Sequence, residues 1–172
     1  ICIFGAGAIG GYLAACLHDA GADVSLIARG PHLKAIKENG LKLEINGEMR
    51  SFNLNASDDP ADFGQQDYVI IALKAHGIIH ITESIQPLLG PETAVVSAVN
   101  GLPWWYFHKA NTNTVLDDKP LISVDPEASI WTKIGPKRAI GCVVYPACEI
   151  SKPGIITHIE GNRISLGEPS GE

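Results

Sequence analysis

Ile1-Cys2-Ile3-Phe4-Gly5-Ala6-Gly7-Ala8-Ile9-Gly10 opens the chain, and its reading decides the fold. Four apolar, partly β-branched residues predict a buried strand. Three glycines follow at G-x-G-x-x-G spacing. Ile9, Tyr12, Leu13, Cys16, Leu17 and Ala20 then recur at helical intervals, which predicts a helix with one apolar face. Strand, glycine turn and helix form the context in which this motif binds a dinucleotide. Gly5 serves the tight turn, Gly7 lets a pyrophosphate approach the backbone, and Gly10 lets the helix pack close to the strand. Ala6, Ala8 and Ile9 complete the loop, and the helix N-terminus offers N–H groups and partial positive charge to phosphates. The same pattern also fits a glycine-rich turn that holds no ligand.

Working outward, Gly21 suits the end of the first helix, and Val24-Ser25-Leu26-Ile27-Ala28 predicts a second parallel strand. An NAD-specific site carries an acidic residue about 20 positions past the glycines. Here Arg29 stands 19 positions after Gly10, and Asp23 lies at the wrong end of the strand. An arginine cannot accept a proton from a ribose hydroxyl, but it can hold a 2′-phosphate through charge-assisted hydrogen bonds. The cofactor expected is therefore NADPH/NADP; a solvated arginine at a strand end is the alternative. Pro31 begins another helix, which Leu33, Ile36 and Lys37 carry to Gly40. Leu41-Lys42-Leu43-Glu44-Ile45 alternates and meets Asn46-Gly47, a strong hairpin signal. The return strand through Met49, Phe52 and Leu54 is out of phase, which leaves its register open.

Residues 67–73 and 93–99 predict two more buried strands, which deliver Lys74 and Asn100 at their carboxyl ends. That edge is where open α/β sheets bind ligands. Ile78, Ile81 and Ile85 lie between these strands at helical spacing. Pro103-Trp104-Trp105-Tyr106-Phe107-His108 is a dense aromatic cluster that suits either a pocket wall or a helix packed on the sheet, and residues 111–125 read as a long loop. Residues 139–145 are strand-like. Residues 155–159 and 163–166 flank Glu160-Gly161-Asn162 and read as a closing hairpin. The fold class expected is α/β: a Rossmann-type, mostly parallel sheet flanked by helices, with an antiparallel hairpin added at the C-terminal end.

Composition narrows the function. With 172 residues, 45% hydrophobic and 19% charged, the chain suits one soluble globular domain. A formal net charge of −6 argues against a nucleic-acid or anionic-membrane surface. No apolar run reaches the length of a membrane span. Cys2, Cys16, Cys142 and Cys148 form no C-x-x-C pair and read as reduced thiols of a cytoplasmic protein. His76 and His80 are four apart, but no third ligand accompanies them, so no metal is expected. The chain opens on a strand with no methionine, so a few preceding residues are expected. Gly167-Glu168-Pro169-Ser170-Gly171-Glu172 reads as the approach to a linker, with the domain at 1–168 and the linker from 169 to 172.

Taken in order, G-A-G-A-I-G-G at 5–11, A-R-G-P-H-L at 28–33, A-L-K-A at 72–75, V-N-G-L at 99–102, and P-G-I-I-T-H with G-N-R-I-S-L-G-E at 153–168 resemble the ketopantoate reductases (2-dehydropantoate 2-reductases). The resemblance covers nearly the whole chain. It implies NADPH-dependent reduction of ketopantoate to pantoate, in pantothenate and coenzyme A synthesis. It implies that Gly5, Ala6, Gly7, Ala8, Ile9 and Gly10 form the pyrophosphate loop and that Arg29 takes the 2′-phosphate. Lys74 matches a lysine near the cofactor phosphate and ribose, Asn100 the asparagine that contacts nicotinamide and substrate, and Ala147 a backbone contact to the cofactor.

Two departures qualify this likeness. The segment from Asn100 to Gly141 is long and carries the aromatic cluster, as in a subgroup with a different substrate. The family's second, all-helical domain supplies the proton-donating lysine and most substrate contacts, and it lies beyond these residues. The partners implied are a small 2-oxo acid, the C-terminal helical domain of the same polypeptide and a second copy in a homodimer. The alternatives are a paralogue that reduces another 2-oxo acid and a non-catalytic NADP(H)-sensing module.

Overall fold

The computed structural model describes residues 1–169 and 171; Ser170 and Glu172, part of the expected linker, lie outside the described residues. Strand β1 (Cys2–Phe4) is buried on both faces, with Ile3 in one core and Cys2 and Phe4 in the other. Both cores persist along the chain through helix α1 (Ala8–Asp19), strand β2 (Ser25–Ile27), helix α2 (Gly30–Asn39), strands β3 (Leu41–Ile45), β4 (Glu48–Phe52), β5 (Asn55–Ser57), β6 (Gln66–Ile71) and β7 (Leu89–Ala98), the short helix α3 (Ser129–Lys133), and strands β8 (Ala139–Val144), β9 (Ala147–Lys152), β10 (Ile155–Glu160) and β11 (Ile164–Gly167). The main sheet has the order β11-β8-β7-β6-β1-β2-β5 and is parallel except for β11. A second sheet, β4-β3-β10-β9, is antiparallel except where β3 meets β10. The α/β class and the added antiparallel hairpin are as the sequence predicts.

The hairpin is made differently from the expectation. Residues 155–159 and 163–166 do not pair with each other. β10 turns back on β9 through Pro153-Gly154, whereas β11 crosses to the main sheet and pairs with β8. Glu160-Gly161-Asn162 is thus a bridge between two sheets. The pairing of β10 with β3 joins residues more than 100 positions apart (Leu43 with Ile156), which no local pattern reveals.

Helix α1 lies between the two sheets, and this corrects its expected face. Six consecutive residues, Gly10 to Ala15, are buried, while Cys16 and Ala20 are exposed. A helix covered on two sides needs small residues on both, and Gly10, Gly11, Ala14 and Ala15 supply them. A Cβ on Gly11 would come 2.7 Å from Cγ1 of Ile156 on β10. Gly21, at φ +89°, follows the helix and donates its N–H to the His18 carbonyl, in keeping with its role as a terminator.

The β3–β4 hairpin forms at Asn46-Gly47, with Leu41 opposite Phe52 and Leu43 opposite Arg50. Arg50 shares the face of Leu43 and reaches Asp19 at the end of α1, with Nη1 donating to Oδ2 at 2.8 Å, while Met49 faces solvent. The Arg50 hydrogen bond lowers the Asp19 carboxyl below the ordinary range.

On the opposite face of the main sheet, Trp104, Ile78, Ile85, Leu88, Ile130 and Ile134 pack against Phe4, Val69, Ile71 and Val95. Residues 75–81 form a 3-10 helix rather than an α-helix. The aromatic cluster is a series of turns: Trp104 is 2% exposed in this core, and the Trp105 ring lies over Gly141. Of the two readings, packing holds for Trp104 and Trp105, in turns instead of a helix, while Tyr106 is exposed. Among the described residues no helix is long and apolar enough to cross a membrane.

Candidate functional site

The first turn after β1 is held from two directions. Gly5 and Ala6 both donate their N–H groups to the Ile27 carbonyl, at 3.1 and 2.9 Å. Gly5 has φ +106°, and a Cβ there would stand 2.5 Å from Leu73 Cδ2 and 3.1 Å from the Ala72 carbonyl oxygen. Gly10 is pressed against the loop itself, since its Cβ would meet the Gly5 oxygen at 1.9 Å. Gly7 is different: nothing lies within 4 Å of its Cβ position. It caps α1 in extended conformation without a side-chain hydrogen bond, and the first turn of α1 carries no acid. The opening amides of a helix have no intrahelical partner, so this end presents donors and positive dipole charge to the open space beside Gly7.

That space consists of two cavities along the carboxyl edge of the parallel strands. One, of about 690 Å³, is lined by Gly5, Ala6, Gly7, Arg29, Lys74 and neighbours. The other, of about 430 Å³, is lined by Gly7, Ala8, Ile9, Lys74, Asn100 and Val144, among others. They share Gly7, Leu73 and Lys74, so the trough passes over the glycine loop from the end of β2 to the ends of β7 and β8. Arg29 caps α2 and is exposed, and among the described residues its guanidinium makes no ion pair. Lys74 is exposed at the junction. Gly10 and Ala147 line neither cavity: Gly10 acts through packing, and Ala147 sits between Pro146 and Cys148, which do line the second.

Asn100 has a role that its sequence position did not disclose. Its Nδ2 donates to the Val144 carbonyl at 2.9 Å, and the Val144 N–H donates to its Oδ1 at 3.0 Å. The side chain therefore acts as an extra rung joining the ends of β7 and β8. One amide N–H and further acceptor capacity remain for a ligand. Asn100→Ala removes both bonds and is expected to lower stability by about 1–2 kcal/mol, read from urea unfolding. An unchanged midpoint would show that the rung carries no stability.

The sequence reading also missed strand β9, which forms the facing wall. Ile150 lines the first cavity, and Pro146 and Cys148 line the second. Burial pushes the Cys148 thiol up to about 11, so it remains protonated at neutral pH. His32 ties this wall to α2 by accepting the Gly154 N–H on Nδ1 at 3.0 Å. Burial is the main cause of its lowered pKa. The unfolded chain then binds more protons than the folded one between the two pKa values, so stability is lost as pH falls below the unfolded value, about 6.5. His32→Gln is expected to flatten stability against pH between 7.5 and 5.5, measured by urea unfolding. A slope as steep as that of the wild type would place the proton uptake elsewhere.

A parallel sheet with a glycine-loop cleft at its carboxyl edge defines a Rossmann-type α/β domain. The family model described as Ketopantoate reductase PanE/ApbA matches residues 1–171. A 2-dehydropantoate 2-reductase of Mesorhizobium japonicum is 54% identical over 173 residues, covering 100% of this chain and 52% of the relative. A crystallised candidate ketopantoate reductase from Ralstonia solanacearum superimposes with a TM-score of 0.90 at 42% identity, over 98% of this chain and 52% of that one. A 2-dehydropantoate 2-reductase from Geobacter metallireducens gives 0.76 at 28% identity, over 98% of this chain and 49% of that one. The chain belongs to the ketopantoate reductase family, a family of oxidoreductases. It spans about half the length of these relatives.

Proposed function

We propose that these residues form the NADP(H)-binding domain of a 2-dehydropantoate 2-reductase, a cytoplasmic enzyme that reduces ketopantoate to pantoate. The observation that carries this reading is the pairing of Gly7, open to the cleft, with Arg29, which makes no ion pair among the described residues, on one cavity wall. A pyrophosphate fits where Gly7 leaves room and the α1 amides point. At the end of β2, where an NAD site would place an acid, there is a guanidinium suited to a 2′-phosphate. The carboxylate on that wall, Asp58, follows β5 instead.

In this reading Gly5 to Gly10 form the pyrophosphate loop, Lys74 neutralises charge where the two cavities meet, and Asn100 orients the reacting end. The nicotinamide supplies a hydride when bound. Asn100, held by Val144, offers its remaining N–H toward the carbonyl oxygen to be reduced. Ala8, Ile9, Ala72, Val99, Val144 and Pro146 give that end an apolar lining. The titratable groups on this wall are Lys74, which this reading gives to the cofactor phosphates, and Cys148, a neutral thiol whose pKa burial raises to about 11. We therefore assign proton delivery, and most of the 2-oxo acid's contacts, to a helical domain in the half of the relatives' length not spanned here. Ala147 adds a backbone contact from β9.

Arg29→Ala tests the cofactor assignment. NADPH binding is expected to weaken by about 1.5–3 kcal/mol, the scale of a hydrogen bond to a charged group, while NADH binding changes little. Titration calorimetry with both coenzymes measures it; equal losses would mean that Arg29 does not read the 2′-phosphate.

A further inference from the structure

Five basic or imidazole side chains converge on the 690 Å³ cavity: Arg29, His32, Lys74, His76 and His80. Arg29 and His32 come from the side of β2 and α2. Lys74, His76 and His80 come from the opposite side, on the segment that leaves β6 and winds into the 3-10 helix Ala75–Ile81. His76 and His80 differ from the other histidines that pack or bond within the fold. His32, His108 and His158 are each held by a hydrogen bond, and His18 lies edge-on to Phe52. His76 and His80 are exposed, face the cleft, and among the described residues make no hydrogen bond or ion pair.

We propose that His76 and His80 read the same coenzyme phosphate as Arg29, so that discrimination between the phosphorylated and unphosphorylated dinucleotide is shared across the cleft and depends on imidazole charge. The inference rests on the NADP(H) reading above. A phosphate monoester carries about −1.5 to −2 charges near neutral pH, and one guanidinium leaves part of that charge unmatched. Asp58, on the same wall, adds to the deficit. Lys74 stands at the junction with the second cavity, where the pyrophosphate competes for it. His32 does not supply charge, because burial lowers its pKa and its Nδ1 is occupied as an acceptor. Glu83, next to the lining residue Ser84, is paired with Lys133 of α3. The two free imidazoles remain, and histidine is the side chain whose charge changes between pH 5 and 8. Protonated, they would place two further positive charges opposite Arg29.

The test is calorimetric binding of NADPH and of NADH at pH 6.0 and pH 8.0, in low salt, to the wild type and to His76→Gln, His80→Gln and the double variant. The double variant is expected to bind NADPH about fivefold to tenfold more weakly than wild type at pH 6.0 and within about twofold at pH 8.0. NADH affinity is expected to stay within about twofold throughout. Comparison at one pH cancels the titration of the 2′-phosphate itself, which gains charge as pH rises. Equal losses for the two coenzymes would overturn the proposal in favour of imidazole stacking on the adenine. Coincident wild-type and double-variant values would overturn it outright. In both cases a wild type that prefers NADPH, and loses that preference in Arg29→Ala, leaves the cofactor assignment standing. A wild type with no preference removes both.

Discussion

Gly10→Ala is expected to cost about 3 kcal/mol or more of folding stability. Overpacking a core usually costs about 1–3 kcal/mol, because flexible side chains can give way. Here the obstruction is backbone: the new methyl would stand 1.9 Å from the Gly5 carbonyl oxygen, 3.0 Å from its carbon and 3.1 Å from Ala72 Cβ. Gly5 cannot retreat, since its N–H is bonded to Ile27 and its own Cβ position is closed by Leu73. Helix α1 has to lift, and it carries the packing of both sheets with it. Against a total of about 5–15 kcal/mol for a domain, that loss is large. A lowered urea midpoint with an unchanged slope is the expected signature. A variant as stable as wild type would mean that α1 can slide on β1.

Gly7→Val should do the reverse, sparing the fold and removing the ligand. Gly7 has φ −68° and ψ −167°, a conformation that β-branched residues accept, and no atom lies within 4 Å of its Cβ position. The melting temperature should therefore move little. The added methyls fill the space into which the α1 amides point, and NADPH affinity is expected to fall by about hundredfold or more, about 3 kcal/mol. Calorimetry on protein shown to be folded by circular dichroism decides it. A folded Gly7→Val protein with wild-type affinity would move the dinucleotide away from this loop.

The glycine loop shows what was legible in the sequence. Strand, turn and helix around residues 1–20 could be read because their geometry is local: a φ of +106° at Gly5 and a close approach at Gly10 each demand a specific residue at a specific spacing. The placement of Arg29 and Lys74 was legible because each follows a parallel strand at its carboxyl end, and both line the cavity at that edge. β5 and β9 were not: Asn55-Ala56-Ser57 is too short to show a period, and Ala147-Cys148-Glu149-Ile150-Ser151-Lys152 mixes polarities because it is an edge strand with exposed residues. The partner of β10 was illegible because it is β3, far away in sequence. Tyr12 and Leu13 pointed to a one-sided helix because small residues on a second buried face leave no hydrophobic signal. The bonds from Asn100 to Val144 depend on β8 lying beside β7, which becomes known only with the sheet order.

The placement of α1 between the sheets has a consequence for how the sequence can drift. The helix works as a shim: its thickness fixes how far β9, and with it Pro146, Cys148 and Ile150, stands from the glycine loop. Residues that never meet a ligand therefore set the gauge of the slot. A methyl added at Gly11 has to be matched by carbon lost at Ile156, because it would stand 2.7 Å from Ile156 Cγ1. Changed together they keep the slot at its width; changed singly they move a wall.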